Sequence, residues 1–323
     1  MTAPIKLIPV LALLVALTAA CDPFGLPATR ALESGVQSML SSANSFELAG
    51  DYTADGTRWT IDMQLTRPAT RHVTVKSSTN QVEAIIIGGD AYFRGQAFLA
   101  KHLGTDPLSQ SIAKAAGNAW WKDTAGLVPS LPDLTDGAVF RTNFLGPAVT
   151  TRTDHQPVGG VDAVKLSGVR ADVYIASTAP YELLRVHLKE GVVVDGITDA
   201  DLRYTKVDRD FGINAPSDVL NFSNLSTLPP IYTVVSVDTS TCASQCIVSA
   251  KLKNLGGATG ARATSTVVFT MSDPVSKQVI GTCSATVQPD VGYNATTTVS
   301  CTINGRPVNA AVVTAVADNP GRG

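Results

Sequence analysis

The 323-residue sequence is short of charge, of aromatic side chains and of cysteine. Charged residues make up 16% and aromatic residues 6%. Twenty-five Lys and Arg stand against 27 Asp and Glu, a net charge of −2, so the basic stripe that nucleic-acid phosphates demand is missing and no nucleic-acid partner is expected. No Gly-x-Ser-x-Gly elbow and no His-Glu-x-x-His motif occurs, and the four histidines, His72, His102, His155 and His187, are scattered. The sequence offers no catalytic residue, and an enzyme is not expected. Apolar residues reach 44%, ample for a core, which excludes a disordered chain. At roughly 100–200 residues per domain the length suggests two domains.

The amino terminus carries the strongest signal. After Lys6 comes the apolar run Leu7-Ile8-Pro9-Val10-Leu11-Ala12-Leu13-Leu14-Val15-Ala16-Leu17, then Thr18-Ala19-Ala20-Cys21. A positive start, a short apolar stretch and small residues make a signal peptide, too short for a spanning helix of about 20 residues. The small residues running into a cysteine resemble the lipobox of bacterial lipoproteins, although Thr18 stands where that family prefers Leu. The resemblance implies cleavage before Cys21 and a diacylglyceryl anchor on its thiol. Residues 1–20 are then a leader, 21–30 a tether, and the expected location is the extracytoplasmic face of the cell membrane. An ordinary secreted protein cut after Ala20 is the competing reading.

Export places the other cysteines, Cys242, Cys246, Cys283 and Cys301, in an oxidising compartment. Two alternating runs, 279–287 and 296–303, flank Pro289-Asp290-Val291-Gly292. A hairpin centred on Gly292 pairs residues whose numbers sum to 584, which sets Cys283 opposite Cys301 and leaves Cys242 to close a small loop with Cys246. A four-thiolate zinc site has the wrong spacing.

Along the remaining chain, Leu32, Val36 and Leu40 predict a helix over 29–42. Trp59, Ile61, Met63 and Leu65 alternate with polar residues, a half-buried strand. Further strands are expected at 72–75, 82–87, 91–94, 164–166, 173–175, 183–188 and 202–207. Helices are expected at 97–103 and 107–116, the second capped by Asp106 with Pro107 in its first turn. Asn, Ser and Pro crowd residues 215–230, a linker. Six strands follow, at 232–237, 246–254, 263–271, 277–287, 296–303 and 310–316, the pattern of a small β-sandwich over 231–318.

The segment from Ala31 to about Asn214 resembles actinobacterial, including mycobacterial, lipid-transport lipoproteins related to the LolA/LolB fold. The resemblance rests on the leading helix, on Gly89-Asp90-Ala91-Tyr92-Phe93-Arg94-Gly95, and on a helical insert reaching Trp120-Trp121. Val158-Gly159-Gly160-Val161-Asp162-Ala163-Val164-Lys165-Leu166 and Ala179-Pro180-Tyr181-Glu182 also fit. It implies an α+β domain over 31–214, an incomplete antiparallel barrel wrapped around helices, with an apolar cavity for acyl chains. The tail is similar to bacterial extracellular immunoglobulin-like domains, notably in Lys251-Leu252-Lys253-Asn254.

Pattern supplies the candidate cavity lining: Trp59, Ile61, Met63, Leu65, Val73, Val75 and Ile86, with the apolar faces of the 97–116 helices. Ordinary core is the alternative for each. The Trp120-Trp121 pair reads as one buried and one rim aromatic, or as a gate. The acidic residues Asp195, Asp199, Asp201, Asp208 and Asp210 lack a calcium-loop pattern and read as a solvated edge. Three functions fit: a membrane-anchored carrier or chaperone of a lipid or acyl chain, a scaffold or adhesion lipoprotein acting through its immunoglobulin-like domain, and an accessory sensor for an envelope protein partner. No cofactor and no metal is expected.

Overall fold

Alternation of apolar and polar residues builds most of this chain, and the computed structural model describes it over residues 25–242, 245–304 and 311–322. The leader, Cys21 and the first part of the tether lie outside the described residues. Two compact units divide it. The first takes in residues up to Thr79, Ile85–Gly89 and Gly126–Asn214; the second takes Asn80–Ala84, Asp90–Ala125 and Ala215 onward.

In chain order the elements begin with helix α1 (Thr29–Ser42) and strands β1 (Ser45–Ala54), β2 (Thr57–Thr66), β3 (Thr70–Lys76), β4 (Gln81–Ile87) and β5 (Asp90–Arg94). Helices α2 (Gln96–Leu103) and α3 (Pro107–Ala116), strand β6 (Trp120–Asp123) and the one-turn helix α4 (Pro132–Thr135) follow. Strands β7 (Thr151–Thr153), β8 (Ala163–Ser167), β9 (Ala171–Ala176), β10 (Leu183–Leu188) and β11 (Thr198–Thr205) then form a meander. The expected helices at 29–42 and 107–116 match α1 and α3, and Asp106 caps α3 through the amides of Leu108 and Ser109 at 3.1 and 3.0 Å.

The sheet of the first unit runs β3-β2-β1-β11-β10-β9-β8-β7, antiparallel throughout, and the described strands form no closed barrel. Its centre is β1, a strand that alternation does not reveal. Gly50 and Asp51 interrupt the apolar pattern after Phe46 and Leu48, and tertiary packing overrides the weak local signal. Gly50 is required there, because a Cβ would come within 2.0 Å of the Asp201 carbonyl oxygen. One sheet face is apolar and the other charged, as expected of an antiparallel sheet with one solvated side. A single inner row reads Val75, Ile61, Gly50, Leu202, Val186, Val173 and Leu166 across seven strands. Helix α1 presents Leu32, Val36 and Leu40 as its buried face, and Phe140 and Phe144 add further buried apolar bulk. The α1 carboxyl end is closed by Arg67, whose guanidinium donates to the carbonyls of Leu40 and Ala43.

In the second unit, β5 and β6 pair antiparallel, and β12 (Val219–Leu220) joins β6 in parallel. The helical insert therefore ends before Trp120, which with Trp121 belongs to a strand. The residues read as a linker carry β12 and a buried Leu228. Beyond them lie β13 (Tyr232–Cys242), β14 (Cys246–Asn254), β15 (Thr266–Ser272), β16 (Val279–Thr286), β17 (Thr296–Ile303) and β18 (Val312–Asp318). They form two three-stranded sheets, β13-β14-β17 and β16-β15-β18, around one core that includes Val248, Leu252, Val267, Phe269 and Met271. A buried Asn254 latches it: its oxygen accepts from Ile231 and Gly256 amides, and its nitrogen donates to Gly257 and Val291 carbonyls.

Both expected disulfides are present, Cys242–Cys246 and Cys283–Cys301. The hairpin used to pair the second is not. Strands β16 and β17 lie at the edges of different sheets, so the bond staples sheet to sheet, with Cα atoms 6.1 Å apart. The connection between them passes from one sheet to the other, held by Asn294 N–H to Asn254 O and Val291 N–H to the Tyr232 hydroxyl. Residues equidistant from a reversal reach the same height whether the chain folds back within a sheet or over its end. The numerical sum therefore found the partner while misplacing the strand.

Candidate functional site

The seven lining candidates fall within the first unit, six of them buried. Trp59, Ile61, Met63 and Leu65 share the inner face of β2; Val73 and Val75 stand opposite Met63 and Ile61 on β3. Ile61, Met63, Val73 and Val75 are 1%, 0%, 0% and 3% exposed, so protein covers them. Leu65 and Ile86 are also buried, and Trp59 is half-buried. Open space lies elsewhere. A groove of about 600 Å³ opens on the opposite, outer side of β2 and β3, lined by Arg58, Thr60, Asp62, Thr74, Lys76, Ser77 and Ser78 with Thr57, and Ile61 is the one lining candidate among its residues. A second groove of about 330 Å³ lies at the other end of β2 and β3, where Leu65 joins Leu40, Arg67, Arg71 and Asp136.

Helices α2 and α3, expected to contribute to the lining, belong to the second unit. There Phe98 stacks between His102 and Trp121, at centroid distances of 6.4 and 6.3 Å. Trp121 is buried, with its indole nitrogen unpartnered among the described residues, and Trp120 is half-buried beneath the Arg94 guanidinium at 4.8 Å. This is the arrangement of one buried and one rim aromatic.

The outer face of the first unit is laced by ion pairs. Arg185 grips Asp201 through Nε and Nη2 at 2.6 and 2.5 Å, and the 5.1 Å approach of its guanidinium to the Tyr174 ring adds a cation–π contact. Burial alone would raise the Asp201 carboxyl, but Arg185 outweighs it and holds the pKa down. Glu47 behaves likewise: burial pushes up, and hydrogen bonds from Lys206, Gln64 and Thr205 together win. Asp62 goes the other way, raised by desolvation and by Glu47. Inside, burial pushes the Tyr52 phenol up to about 12 and the fully buried Tyr204 still higher; Tyr204 donates to the Leu134 carbonyl at 2.8 Å.

Of the five acidic residues read as a solvated edge, Asp199, Asp208 and Asp210 are exposed and Asp195 and Asp201 are half-buried. Asp201 has Arg185, Asp195 accepts from the amides of Asp133 and Leu134, and Asp208 accepts from Asn44. Local sequence gives no sign of these partners, which lie 16 to 164 residues away. Among the described residues no three His, Cys, Asp or Glu side chains gather as a metal site, and no helix is long and apolar enough to cross a membrane.

Sequence reasoning identified the inner face and missed the polar groups that line the two grooves. Arg58, Asp62 and Lys76 alternate with the apolar residues and face outward, and Arg67 and Arg71 flank the turn at the other end; two arginines bracketing Pro68-Ala69-Thr70 were the available signal. Neither a protein-family model nor a curated protein sequence matches this chain.

Proposed function

We propose that this protein is a lipid-anchored envelope protein that takes up the acyl chain of a lipid and carries or shields it. The observation that supports this most is the wide apolar inner face of the first unit, one row of which runs from Val75 to Leu166 across seven strands; a groove of about 600 Å³, a volume within the range of small-molecule sites, opens on the outer side of β2 and β3. Met63 and Val73 are covered, so on this reading the chain lies in that groove rather than between the inner side chains. Burial of alkyl surface drives such binding at roughly 25 cal/mol per Å². Arg58, Lys76 and Asp62 are among its lining residues and would meet a polar headgroup. The anchor is the diacylglyceryl group on Cys21, and the first unit takes the role of the LolA/LolB-like carriers. Cys21→Ala should release the protein from membranes.

Native mass spectrometry on the exported ectodomain from residue 22 tests the reading. A reproducible added mass, removed by organic solvent, is expected, together with saturable binding of a fluorescent fatty acid. Filling the groove by Ser78→Trp should weaken that binding about fivefold or more, roughly 1 kcal/mol. A clean apo mass and no probe binding would sink the carrier reading.

A second reading, a scaffold acting through the immunoglobulin-like tail, has its own observation. On the β16-β15-β18 sheet Val268, Val279, Val312 and Val316 are exposed, among threonines and serines, with no charged residue between 279 and 287 or between 312 and 317. Capture of a specific envelope partner that Val316→Lys abolishes, with probe binding absent, would establish it.

A further inference from the structure

The smaller groove of the first unit has a chemistry that acyl-chain binding does not use. Its wall is the turn between β2 and β3, faced by the end of α1 and by α4. Arg71 stands directly opposite Leu65, so its side chain leaves from the apolar side of the sheet. A guanidinium in such a place normally has a carboxylate. Among the described residues Arg71 forms no ion pair; its one hydrogen bond goes from Nη1 to the Ser130 carbonyl at 3.4 Å. Arg67 beside it is occupied, donating to the carbonyls of Leu40, Ala43 and Thr135. Its charge still contributes to the groove. Against these two cations stands one lining carboxylate, Asp136, whose Oδ1 accepts from the Ala138 amide at 2.8 Å.

We infer that this groove binds an oxyanion of the phosphate type, with Arg71 as its principal donor. The guanidinium carries five N–H groups in a planar fork and uses one of them, which leaves a free edge for bidentate contact with two phosphate oxygens. The Ser41, Thr66 and Thr70 hydroxyls line the same space as further donors. Arg67 supplies a second positive charge without having to release its carbonyls. Burial also lowers the Arg71 pKa from its ordinary value, the cost that an incoming anion would relieve. About 330 Å³ accommodates a tetrahedral anion with part of the group that bears it. That bearer is either nothing, for free phosphate, or the glycerol of an anionic lipid. The inference stands on Arg71 and its surroundings, and it holds whether or not the acyl groove is real.

Isothermal titration of the full chain with inorganic phosphate at low ionic strength is the test. One saturable site is expected, weakened about tenfold or more in Arg71→Gln and unchanged in Arg30→Gln, an exposed position on α1. Asp136→Asn keeps the oxygen that receives the Ala138 amide and removes the opposing charge, so it should tighten phosphate about threefold. If Arg71→Gln fails to fold by circular dichroism, Arg71→Lys and Asp136→Asn decide. Equal affinity across those variants and the parent chain, or no saturable binding, overturns the site. Dihexanoyl phosphatidic acid separates the sources: binding about tenfold tighter than phosphate assigns a lipid headgroup, and equal binding assigns the free anion.

Discussion

The first unit and the C-terminal sandwich solve the same problem with different materials. The described part of the first unit contains no cysteine, and its buried set includes the large side chains Phe46, Tyr52, Phe140, Phe144 and Tyr204. The sandwich has Phe269 and Tyr232 as its only large aromatics in a core otherwise made of Val, Ala, Leu, Met, Ile and Cys246, and it carries both disulfides. A small two-layer fold buries less surface per residue, and cross-links offset the deficit by restricting the unfolded chain. The outer faces differ too. Paired charges cover the sheet of the first unit, whereas valine, threonine and serine cover the β16-β15-β18 sheet. A charged outer face resists edge-to-edge and face-to-face association, and an uncharged one does not.

Substitutions can break this comparison at its strongest point first. Met63→Ala leaves a void in the centre of the first unit and should cost about 4 kcal/mol, read as faster hydrogen exchange in 46–52 and 61–75 while the sandwich keeps its protection. Exchange rising in both units together would mean that they unfold as one.

Replacing Cys283 and Cys301 by Ala opens a loop spanning 18 residues and should cost the sandwich about 3 kcal/mol, with the first unit unaffected. Denaturant melts with and without reductant measure it. Asn254→Ala removes four hydrogen bonds made by one buried side chain and should cost about 2 kcal/mol, visible as exchange at 231, 256 and 294–295. A cost as small as a surface mutation would show that water replaces the latch.

The smallest effect sharpens the electrostatic side. Glu47 has a folded pKa below the ordinary glutamate value of 4.5. Its stabilisation is complete above that unfolded value and is lost as pH falls through the folded one. As pH falls below 4.5 the first unit should therefore lose a small increment of stability that Glu47→Gln does not lose, read as the difference between their denaturant midpoints at pH 5 and pH 3. The sandwich has its own hydrogen-bonded carboxylates, Asp238 and Asp273, and its acid dependence should be the same in the parent chain and in Glu47→Gln.

Much of the fold was legible because local signals agreed. Leu32, Val36 and Leu40 define α1, Asp106 with Pro107 defines the start of α3, and strands β14 and β17 appear with their observed limits. The missed strands are instructive. Strand β1 is hidden by Gly50-Asp51, and β6, β7 and β12 are at most four residues long, too short for a period to register. The candidate site was half legible. Alternation along β2 and β3 identified which side chains point inward; it is silent on whether they meet space or other side chains.

That boundary follows from the range over which each force acts. Periodicity, caps and turn residues lie within a few positions of one another, so the sequence alone determined the helices, most strands, the apolar inner face and, by counting from one turn, the partner of Cys283. Whether the chain turns within a sheet or crosses to another depends on contacts such as Asn254 with Val291, 37 residues apart. Which carboxylate meets which cation, and which arginine is left without one, depends on side chains brought together from distant strands. Arg71 reads in the sequence as one of two turn-flanking cations; only the tertiary structure shows that Arg67 is spoken for by three carbonyls and that Arg71 is not.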